Sequence, residues 1–573
     1  MLEIKRMIAM AAAALAVLSL VFFISSVQDK NSVPDDFMDV EIGKEIDASS
    51  EVLDVTRIPW TEESIDGSTF EEGKVFRYAI SSLAGTFDPA FTNTEAEDTI
   101  VYHIYEGLYR TVDGELVPAG ATSVDISEDG LTYTFHLNEK ARWSDGRKVT
   151  AKDYAYGIRR HMNPVLASPT AYLGDVVKNG AAVRKGDLAL SELGVRAEGD
   201  YTLVITLEHP AEYFLYLLQT GAFCPVRSDY VEIYGESYCS SSGHQVYNGP
   251  FSIRSIAEKM IVLERNPNYW DASNVKLDRV VIHTAIDGDA ATRLYHEGKL
   301  DYADLPYSSA NTDNNAIFYM DGAVDYVVPN FDNRFLANKN LRMAISYAID
   351  RNSLSGISGN EAFLRFVPSY VLGVDGGTYG RLFPYDAVPA SGDEEIAKNY
   401  LQAALSELGC RAKDISLRAV TVDNGLCQAE ALMFIEQVTR VLGININLIT
   451  APYSVRNAIM IPHSEEFDLL FTGWMPDYPD ALSFLEPFVS DGSMNFSNYS
   501  SYEYDNWIAK SGLLFGEERQ AALFEAEKTL LDDGAVFAFK VRSGQYLLGP
   551  EFTHLSSYWV GHSLEYIFAD KEE

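Results

Sequence analysis

The side chains that could do chemistry do not form any of the common catalytic motifs. The chain contains no H-E-x-x-H, G-x-S-x-G, G-x-x-x-x-G-K-[ST] or G-x-G-x-x-G segment, and its ten histidines are scattered singly. His296-Glu297 has no second histidine four residues on, so no zinc pair shares a helix face. We therefore predict a protein that is not an enzyme and needs no metal or cofactor. A Ser/His/Asp set assembled from distant residues is the alternative.

Four cysteines are the next group with reactive potential. Cys224 and Cys239 are fifteen residues apart, and Cys410 and Cys427 are seventeen apart. An even number of cysteines permits two disulfide bridges. A bridge within each of these two pairs would add roughly 3 kcal/mol to the free energy of unfolding. No C-x-x-C occurs, so neither structural zinc nor thioredoxin-like redox chemistry has support. We expect two local disulfides, with free buried thiols as the alternative.

Charge and composition narrow the classes of partner. The 573 residues include 83 acids and 45 bases, a formal net charge of −38. Such a field repels phosphate backbones, and no run of Lys or Arg is longer than two, so nucleic acid is excluded as a partner. At about 150 residues per domain the length predicts three to four domain-sized units. The 34 tyrosines fit either a large core or an aromatic-lined cleft.

The first 72 residues predict export. Lys5 and Arg6 precede an apolar run, residues 7–24, in which only Ser19 is polar, the pattern of an export signal. As a helix this run would be about 27 Å long, close to the thickness of a bilayer core. Residues 1–28 are therefore predicted to be either an uncleaved membrane anchor or a cleaved signal. Residues 29–72 carry fourteen acids and three bases, which predicts an acidic disordered spacer.

Strand and helix signals then alternate without a repeat. Apolar alternation or short apolar runs predict strands over residues 131–137, 201–207, 444–450, 467–471 and 535–541. Helical spacing predicts helices over residues 341–349, 426–442 and 519–531, and Thr150 with Asp153 forms a capping-box variant that begins a further one. Helices between strands predict α/β lobes with partly parallel sheets.

Several short segments occur together in an order that resembles one family. They are Phe87-Asp88-Pro89, Ile104-Tyr-Glu-Gly-Leu108, Trp143-Ser-Asp-Gly146, Asn248-Gly-Pro-Phe251, Leu263-Glu-Arg-Asn-Pro-Asn-Tyr-Trp270, Leu341-Arg-Met-Ala-Ile345 and Gly473-Trp474…Asp477-Tyr478-Pro-Asp480. Each is weak alone, but their number and order make chance similarity improbable. Over about residues 73–573 the chain resembles the extracytoplasmic solute-binding proteins of ABC importers, in the oligopeptide- and dipeptide-binding class called family 5.

The resemblance implies an α/β, two-lobed fold of the periplasmic-binding-protein type (type II, large peptide-binding class), with a hinge and an extra subdomain in lobe I. Carried onto this chain, lobe I takes residues 73–271 and 541–573, and lobe II takes residues 272–540. The implied function is capture of oligopeptides in the interlobe cleft and delivery to the permease of an ABC importer. The protein would be a monomer at the outer face of the cytoplasmic membrane or on the cell surface.

The resemblance also implies ligand contacts. Asp477 lies beyond the carboxyl end of a predicted strand and resembles the aspartate that pairs with a peptide's α-ammonium group. Gly473 and Trp474 would supply backbone groups and an aromatic wall, and Asn248 would bind peptide backbone from lobe I. The other implied site residues are Gly249, Tyr478, Asn495, Tyr172 and Glu95. A turn before Pro479, core packing of Trp474 and a turn at Asn248 are the structural alternatives.

Two departures from the family limit what it implies. The first cysteine is Cys224, so the protein is not a lipoprotein. Phe471 stands where some oligopeptide binders have an arginine, so no arginine contact to a peptide carboxylate is implied there. The alternative functions are a peptide sensor, a binding protein for another small solute such as a metal chelate or sugar, and a secreted hydrolase.

Overall fold

The computed structural model describes residues 73–572 apart from 82–84, 93, 258, 306–314, 375, 493, 559 and 561–563. The predicted signal or anchor over residues 1–28 and the predicted spacer over residues 29–72 lie outside the described residues. Within the described part of the chain, no helix combines the length and apolarity needed to cross a membrane.

The described strands are short except for two. They are β1 (Val75–Ala79), β2 (Tyr109–Val112), β3 (Glu115–Pro118), β4 (Ala121–Ile126), β5 (Thr132–Leu137), β6 (Val195–Ala197), β7 (Thr202–Thr206), β8 (Phe251–Ala257), β9 (Met260–Arg265), β10 (Arg279–His283), β11 (Tyr302–Asp304), β12 (Ile317–Pro329), β13 (Ser416–Val422), β14 (Asn445–Ala451), β15 (Leu469–Trp474), β16 (Phe537–Leu548), β17 (Phe552–Thr553), β18 (Ser556–Ser557), β19 (Leu564–Glu565) and β20 (Asp570–Lys571).

The α-helices lie between these strands. They are α1 (Glu95–Ile104), α2 (Ala151–His161), α3 (Gly180–Arg184), α4 (Phe214–Leu217), α5 (Ser228–Tyr234), α6 (Gly288–His296), α7 (Lys339–Ala348), α8 (Arg351–Gly356), α9 (Tyr379–Leu382), α10 (Glu394–Leu408), α11 (Gly425–Leu442), α12 (Tyr453–Ala458), α13 (Ala481–Leu485), α14 (Tyr502–Ser511) and α15 (Gly516–Asp532).

Lobe I is built on a four-stranded sheet of order β1-β10-β9-β8, in which β1 and β10 are parallel and the other pairs antiparallel. Because Val280 and Ile282 of β10 are fully buried in this sheet's core, the predicted lobe boundary after residue 271 is wrong. The chain stays in lobe I through β10 and joins the other large sheet only at β11. The C-terminal residues return to lobe I, where the Tyr566 ring stacks on His103 at 3.4 Å between centroids.

The extra subdomain of lobe I has its own antiparallel sheet of order β4-β5-β7-β6. Its two central strands are the segments predicted from alternation near residues 131–137 and 201–207. The helix α2 begins at the predicted capping box, where the Thr150 N–H donates to Asp153 Oδ2 at 2.8 Å. The local sequence therefore predicts the two central strands and the start of α2 correctly.

Lobe II contains a six-stranded sheet of order β11-β16-β12-β15-β13-β14. The strands β14, β13 and β15 run parallel, with α11 crossing between β13 and β14 and ending at Gly443, whose φ is +66°. The long strands β12 and β16 pair antiparallel, and the end of β16 pairs with β11. Because β13 and β15 are parallel, the loops after both strands open at one edge of the sheet.

All four cysteines are free, so the two predicted disulfides are wrong. Cys410 precedes the amino end of β13 and Cys427 follows its carboxyl end, so a seven-residue strand of roughly 23 Å separates them. A disulfide needs Cα atoms about 5.5–6 Å apart. Cys224 and Cys239 are buried in two different apolar clusters, which explains why they do not meet.

Candidate functional site

A cavity lies between lobe I and the Asp477 loop of lobe II. Its lobe I wall includes Pro89, Asp98, Thr170, Gln219 and Gly221, and Asp477 faces it from the other side. The cavity therefore forms where the parallel strands of lobe II end, the position at which open α/β sheets bind ligands.

Two anchors hold the loop that carries Asp477. At its start the Trp474 indole N–H donates to the Ser483 carbonyl at 2.7 Å, and the Asp477 backbone N–H donates to Ser483 Oγ at 2.9 Å. At its end Asp480 caps α13 and accepts two hydrogen bonds from the buried Arg519 guanidinium, at 2.7 and 2.9 Å. A bidentate pair fixes both position and orientation, so the loop is pre-organised before any ligand arrives.

The side chain of Asp477 is partly buried and accepts a hydrogen bond from the Tyr172 hydroxyl at 2.8 Å. Burial raises the pKa of Asp477 to about 6, and the hydrogen bond from Tyr172 opposes the shift. Tyr172 belongs to lobe I, so this contact connects the two lobes. The predicted residues Asp477 and Tyr172 thus meet at one site.

Asp98 is a second acid at the same cavity, and the sequence analysis missed it. It lies in the first turn of α1, which begins at the cap residue Thr94. Burial raises the pKa of Asp98 to about 7, and the Asp477 carboxylate adds to the rise while a hydrogen bond with Thr92 opposes it. The predicted Glu95 lies one turn earlier and is exposed. Asp98 lies three residues after Glu95, and residues at this spacing share a helix face. This spacing could have identified Asp98 from the sequence.

No cation neutralises the two carboxylates within the described residues. Neither Asp98 nor Asp477 lies within salt-bridge distance of a described Lys, Arg or His side chain. A buried carboxylate without a compensating cation raises the free energy of the folded protein, and two that repel each other raise it further. A ligand with one positive group could relieve both costs.

A second cavity, lined in part by tyrosines, adjoins the first and shares Leu173 with it. The Tyr478 ring stacks on Tyr213 with centroids 4.3 Å apart, and the Tyr478 hydroxyl donates to Glu486 Oε1 at 3.1 Å. Burial, with Asp477 nearby, raises the pKa of Glu486 to about 8. Tyr478 was predicted at the site, whereas Tyr213 and Glu486 were missed because only folding brings them together.

Four predicted ligand contacts also make close contacts within the protein. Asn248 is 3% exposed, and its amide exchanges two hydrogen bonds with the Glu106 backbone, at 3.0 and 3.1 Å. A Cβ on Gly249 would lie 2.5 Å from the Ile104 carbonyl carbon, so this glycine permits close backbone packing. Asn495 bonds the Val489 and Tyr499 backbone, and Trp474 is 9% exposed in the core. Their polar groups are already satisfied by the protein.

Gly473 lines a third cavity, together with Asp325, Thr472 and Arg542. A Cβ at this position would lie 2.2 Å from Arg542 Nη2, so any larger residue would displace that guanidinium.

Comparisons with known proteins agree with this architecture. The dipeptide-binding protein of Lactococcus lactis is 28% identical over 525 residues, covering 86% of this chain and 94% of that protein. The structure of Listeria monocytogenes OppA bound to peptide superposes with a TM-score of 0.78 at 28% identity, covering 88% of this chain and all of that one. The substrate-binding domain of an oligopeptide ABC transporter from Bacillus anthracis gives 0.77 at 28% identity, covering 88% and 99% of the two chains.

The family described as bacterial extracellular solute-binding proteins, family 5 Middle, matches residues 115–496, more than half of the chain. This segment contains the extra subdomain, most of lobe II and the Asp477 loop. The chain therefore belongs to the bacterial extracellular solute-binding proteins of family 5.

Proposed function

We propose that this protein binds peptides in the cleft between its lobes and delivers them to an ABC importer. The observation that carries the proposal is the pair Asp98 and Asp477, which face one cavity without a described cation. The relatives named above bind dipeptides or oligopeptides or belong to an oligopeptide ABC transporter, which supports the same ligand class.

The α-ammonium group of the peptide lies between the two carboxylates in this proposal. A charge-assisted hydrogen bond in a site of low water content contributes about 1.5–3 kcal/mol. Asp98 approaches from lobe I and Asp477 from lobe II, so the ammonium group holds the lobes together. Binding and hinge closure are then one event, and the closed form is the shape presented to the permease.

The rest of the peptide extends from this point along the edges of the sheets. Backbone hydrogen bonds supply affinity, while large cavities accept varied side chains with water filling the remaining space. The aromatic cavity beside Asp477 suits a long side chain, because Tyr213 and Tyr478 offer flat apolar surfaces and Glu486 a polar end.

Native mass spectrometry of the purified protein tests the ligand class. We expect co-purified masses that fragment as peptides, and their loss when the protein is unfolded and refolded in peptide-free buffer. Alanine peptides of three to five residues should then rebind, whereas their N-acetylated forms should bind at least tenfold more weakly. Tight binding of a non-peptide solute with no binding of any peptide would overturn the proposal.

Delivery to an importer and attachment to the membrane need separate tests. Deleting the protein in its native host should abolish uptake of a labelled alanine peptide; unchanged uptake with intact binding would instead indicate a sensor. The proposed tether is residues 1–28, and N-terminal sequencing of the mature protein distinguishes an anchor from a cleaved signal. Light scattering of residues 73–573 should give the mass of a monomer.

A further inference from the structure

Glu486 is a carboxylate without a described counter-ion, and it lines the second cavity. It follows α13 as the C-cap residue, is partly buried, and accepts a hydrogen bond from the Tyr478 hydroxyl at 3.1 Å. Among the described residues, no Lys, Arg or His side chain lies within salt-bridge distance of it. The tyrosine supplies a hydrogen bond but no positive charge, so the described protein leaves the charge of Glu486 uncompensated.

The other charged residues of this cavity do not supply the missing cation. Asp175 also lines the cavity, but Arg184 holds it with two hydrogen bonds, at 2.6 and 2.8 Å. The described lining residues include one base, His209, and it lies beyond salt-bridge distance of Glu486. Once Asp175 is paired, Glu486 is the acid that remains to attract a positively charged group.

The walls of the second cavity suit a side chain that is apolar along most of its length. Tyr172 and Tyr213 contribute rings from lobe I, and Tyr478 contributes a ring from lobe II. Aliphatic side chains such as Leu482 complete the walls. Lysine and arginine combine an apolar stem with a cationic head, and the head is also attracted to aromatic rings. A cavity with apolar walls and one uncompensated carboxylate matches both parts of such a side chain.

The second cavity lies next to the proposed site of the peptide's α-ammonium group. Leu173 lines both cavities, and Tyr172, which lines the second, donates its hydroxyl to Asp477 of the first. Asp477 is followed directly by Tyr478, whose hydroxyl reaches Glu486. The first residues of a bound peptide therefore lie closest to this cavity.

We propose that Glu486 binds the cationic head of a Lys or Arg side chain near the N-terminus of the peptide. The protein then prefers peptides that are basic at their first or second residue. This inference rests on the proposed function, because it names the class of peptide that the same cleft selects. Both lobes line the second cavity, so the basic side chain adds contacts that hold the lobes together.

The protonation of Glu486 gives this site a measurable signature. Burial raises the pKa of Glu486 to about 8, and the hydrogen bond from Tyr478 opposes the shift. Three nearby carboxylates add to the rise: Asp477, Asp175 and Asp480. At pH 7 about nine-tenths of the unliganded protein therefore carries a proton on Glu486. A bound cation lowers this pKa, so the proton is released to solvent on binding, and the preference for a basic peptide grows from pH 6 to 8.

Calorimetry with matched peptides tests the site. The peptides are Lys-Ala-Ala and Ala-Lys-Ala, each compared with its norleucine counterpart, which lacks only the side-chain amino group. At pH 8 we expect one lysine peptide to bind about tenfold or more tightly than its norleucine counterpart. At pH 7, titrations in buffers of different ionisation enthalpy should show that this lysine peptide releases up to about one proton more.

Three variants identify the group that is responsible. Glu486→Gln should remove both the preference and the extra proton, and it keeps His209, so it separates the two titrating groups. Glu503→Gln should leave both unchanged. Glu503 is a matched control because it is exposed on α14 and its loss changes the net charge equally. Asp477→Asn should weaken the lysine and norleucine peptides by the same factor, because it acts on the α-ammonium group that they share.

The outcomes separate this site from the proposed function. Equal binding of lysine and norleucine peptides by the wild type, or a preference that persists in Glu486→Gln, overturns the Glu486 site alone. A preference that disappears in Asp477→Asn places the lysine ammonium at Asp477 and also overturns it. If Glu486→Gln does not fold in thermal unfolding experiments, the wild-type proton count decides, because no extra release refutes the site. If neither these peptides nor tri-alanine binds, the proposed function fails and the Glu486 site fails with it.

Discussion

Replacing Asp477 by asparagine should weaken peptide binding and stabilise the unliganded protein. The substitution keeps an oxygen that can accept the Tyr172 hydroxyl, so the loop geometry is preserved. It removes the charge that attracts an α-ammonium group, a loss of about 1.5–3 kcal/mol. The dissociation constant should therefore rise about 10- to 150-fold.

The gain in stability follows from the pKa of the same carboxyl group. Burial raises that pKa from 3.8 to about 6, so the folded state binds the proton more tightly than the unfolded chain does. The free energy of unfolding of the unliganded wild type therefore falls as the pH rises from about 4 through 6. Above pH 6 the cost of the buried charge is at most on the order of 3 kcal/mol, and Asp477→Asn removes it.

Two assays measure these opposite effects. Calorimetry with tetra-alanine and N-acetyl-tetra-alanine forms a cycle in which acetylation should weaken binding to the wild type but have little effect on Asp477→Asn. Thermal unfolding at pH 8 should give a higher midpoint for Asp477→Asn, and the difference should vanish near pH 4. The exposed Asp187→Asn is the control and should change neither quantity. Equal weakening of the free and acetylated peptides, or a lower midpoint at pH 8, would refute the reasoning.

Three further predictions follow from described contacts. Because the pKa of Asp98 is raised to about 7 and that of Asp477 to about 6, the Kd for peptide should rise by up to about tenfold per pH unit between pH 7 and 6 and by up to about a hundredfold per unit below pH 6, and a flat profile from pH 8 to 5 would count against the ammonium site. Arg519→Met leaves Asp480 buried without its partner and should lower the free energy of unfolding by about 3–5 kcal/mol in urea titrations; a change below 1 kcal/mol would contradict a tightly held loop. Since the four cysteines are free, thermal midpoints with and without dithiothreitol should coincide, and a thiol reagent should titrate four groups in the unfolded protein. A count below four would indicate that disulfides are present.

Local sequence signals predicted the elements that carry the site. The helix predicted over residues 426–442, with its end at Gly443, is observed as α11. The prediction succeeds because the apolar spacing and the left-handed glycine that ends the helix depend only on residues close together in the sequence. The motif order also predicted the two-lobed fold and placed Asp477 in the cleft. In contrast, the lobe boundary was misplaced because β10 follows the Trp270 motif without any local sign that it pairs with β1, more than two hundred residues away.

The sequence by itself determined the family, the α/β elements, the acidic character and the position of Asp477 beyond the end of a strand. Only the tertiary structure decided which side chains share a cavity, because this depends on contacts between distant parts of the chain. Folding brings Asp98 of lobe I opposite Asp477 of lobe II and satisfies the Asn248 amide with the Glu106 backbone. It also buries Arg456 without a described counter-ion. Residue types fix the charges, and burial then decides which of them lack a compensating charge within the described part of the protein.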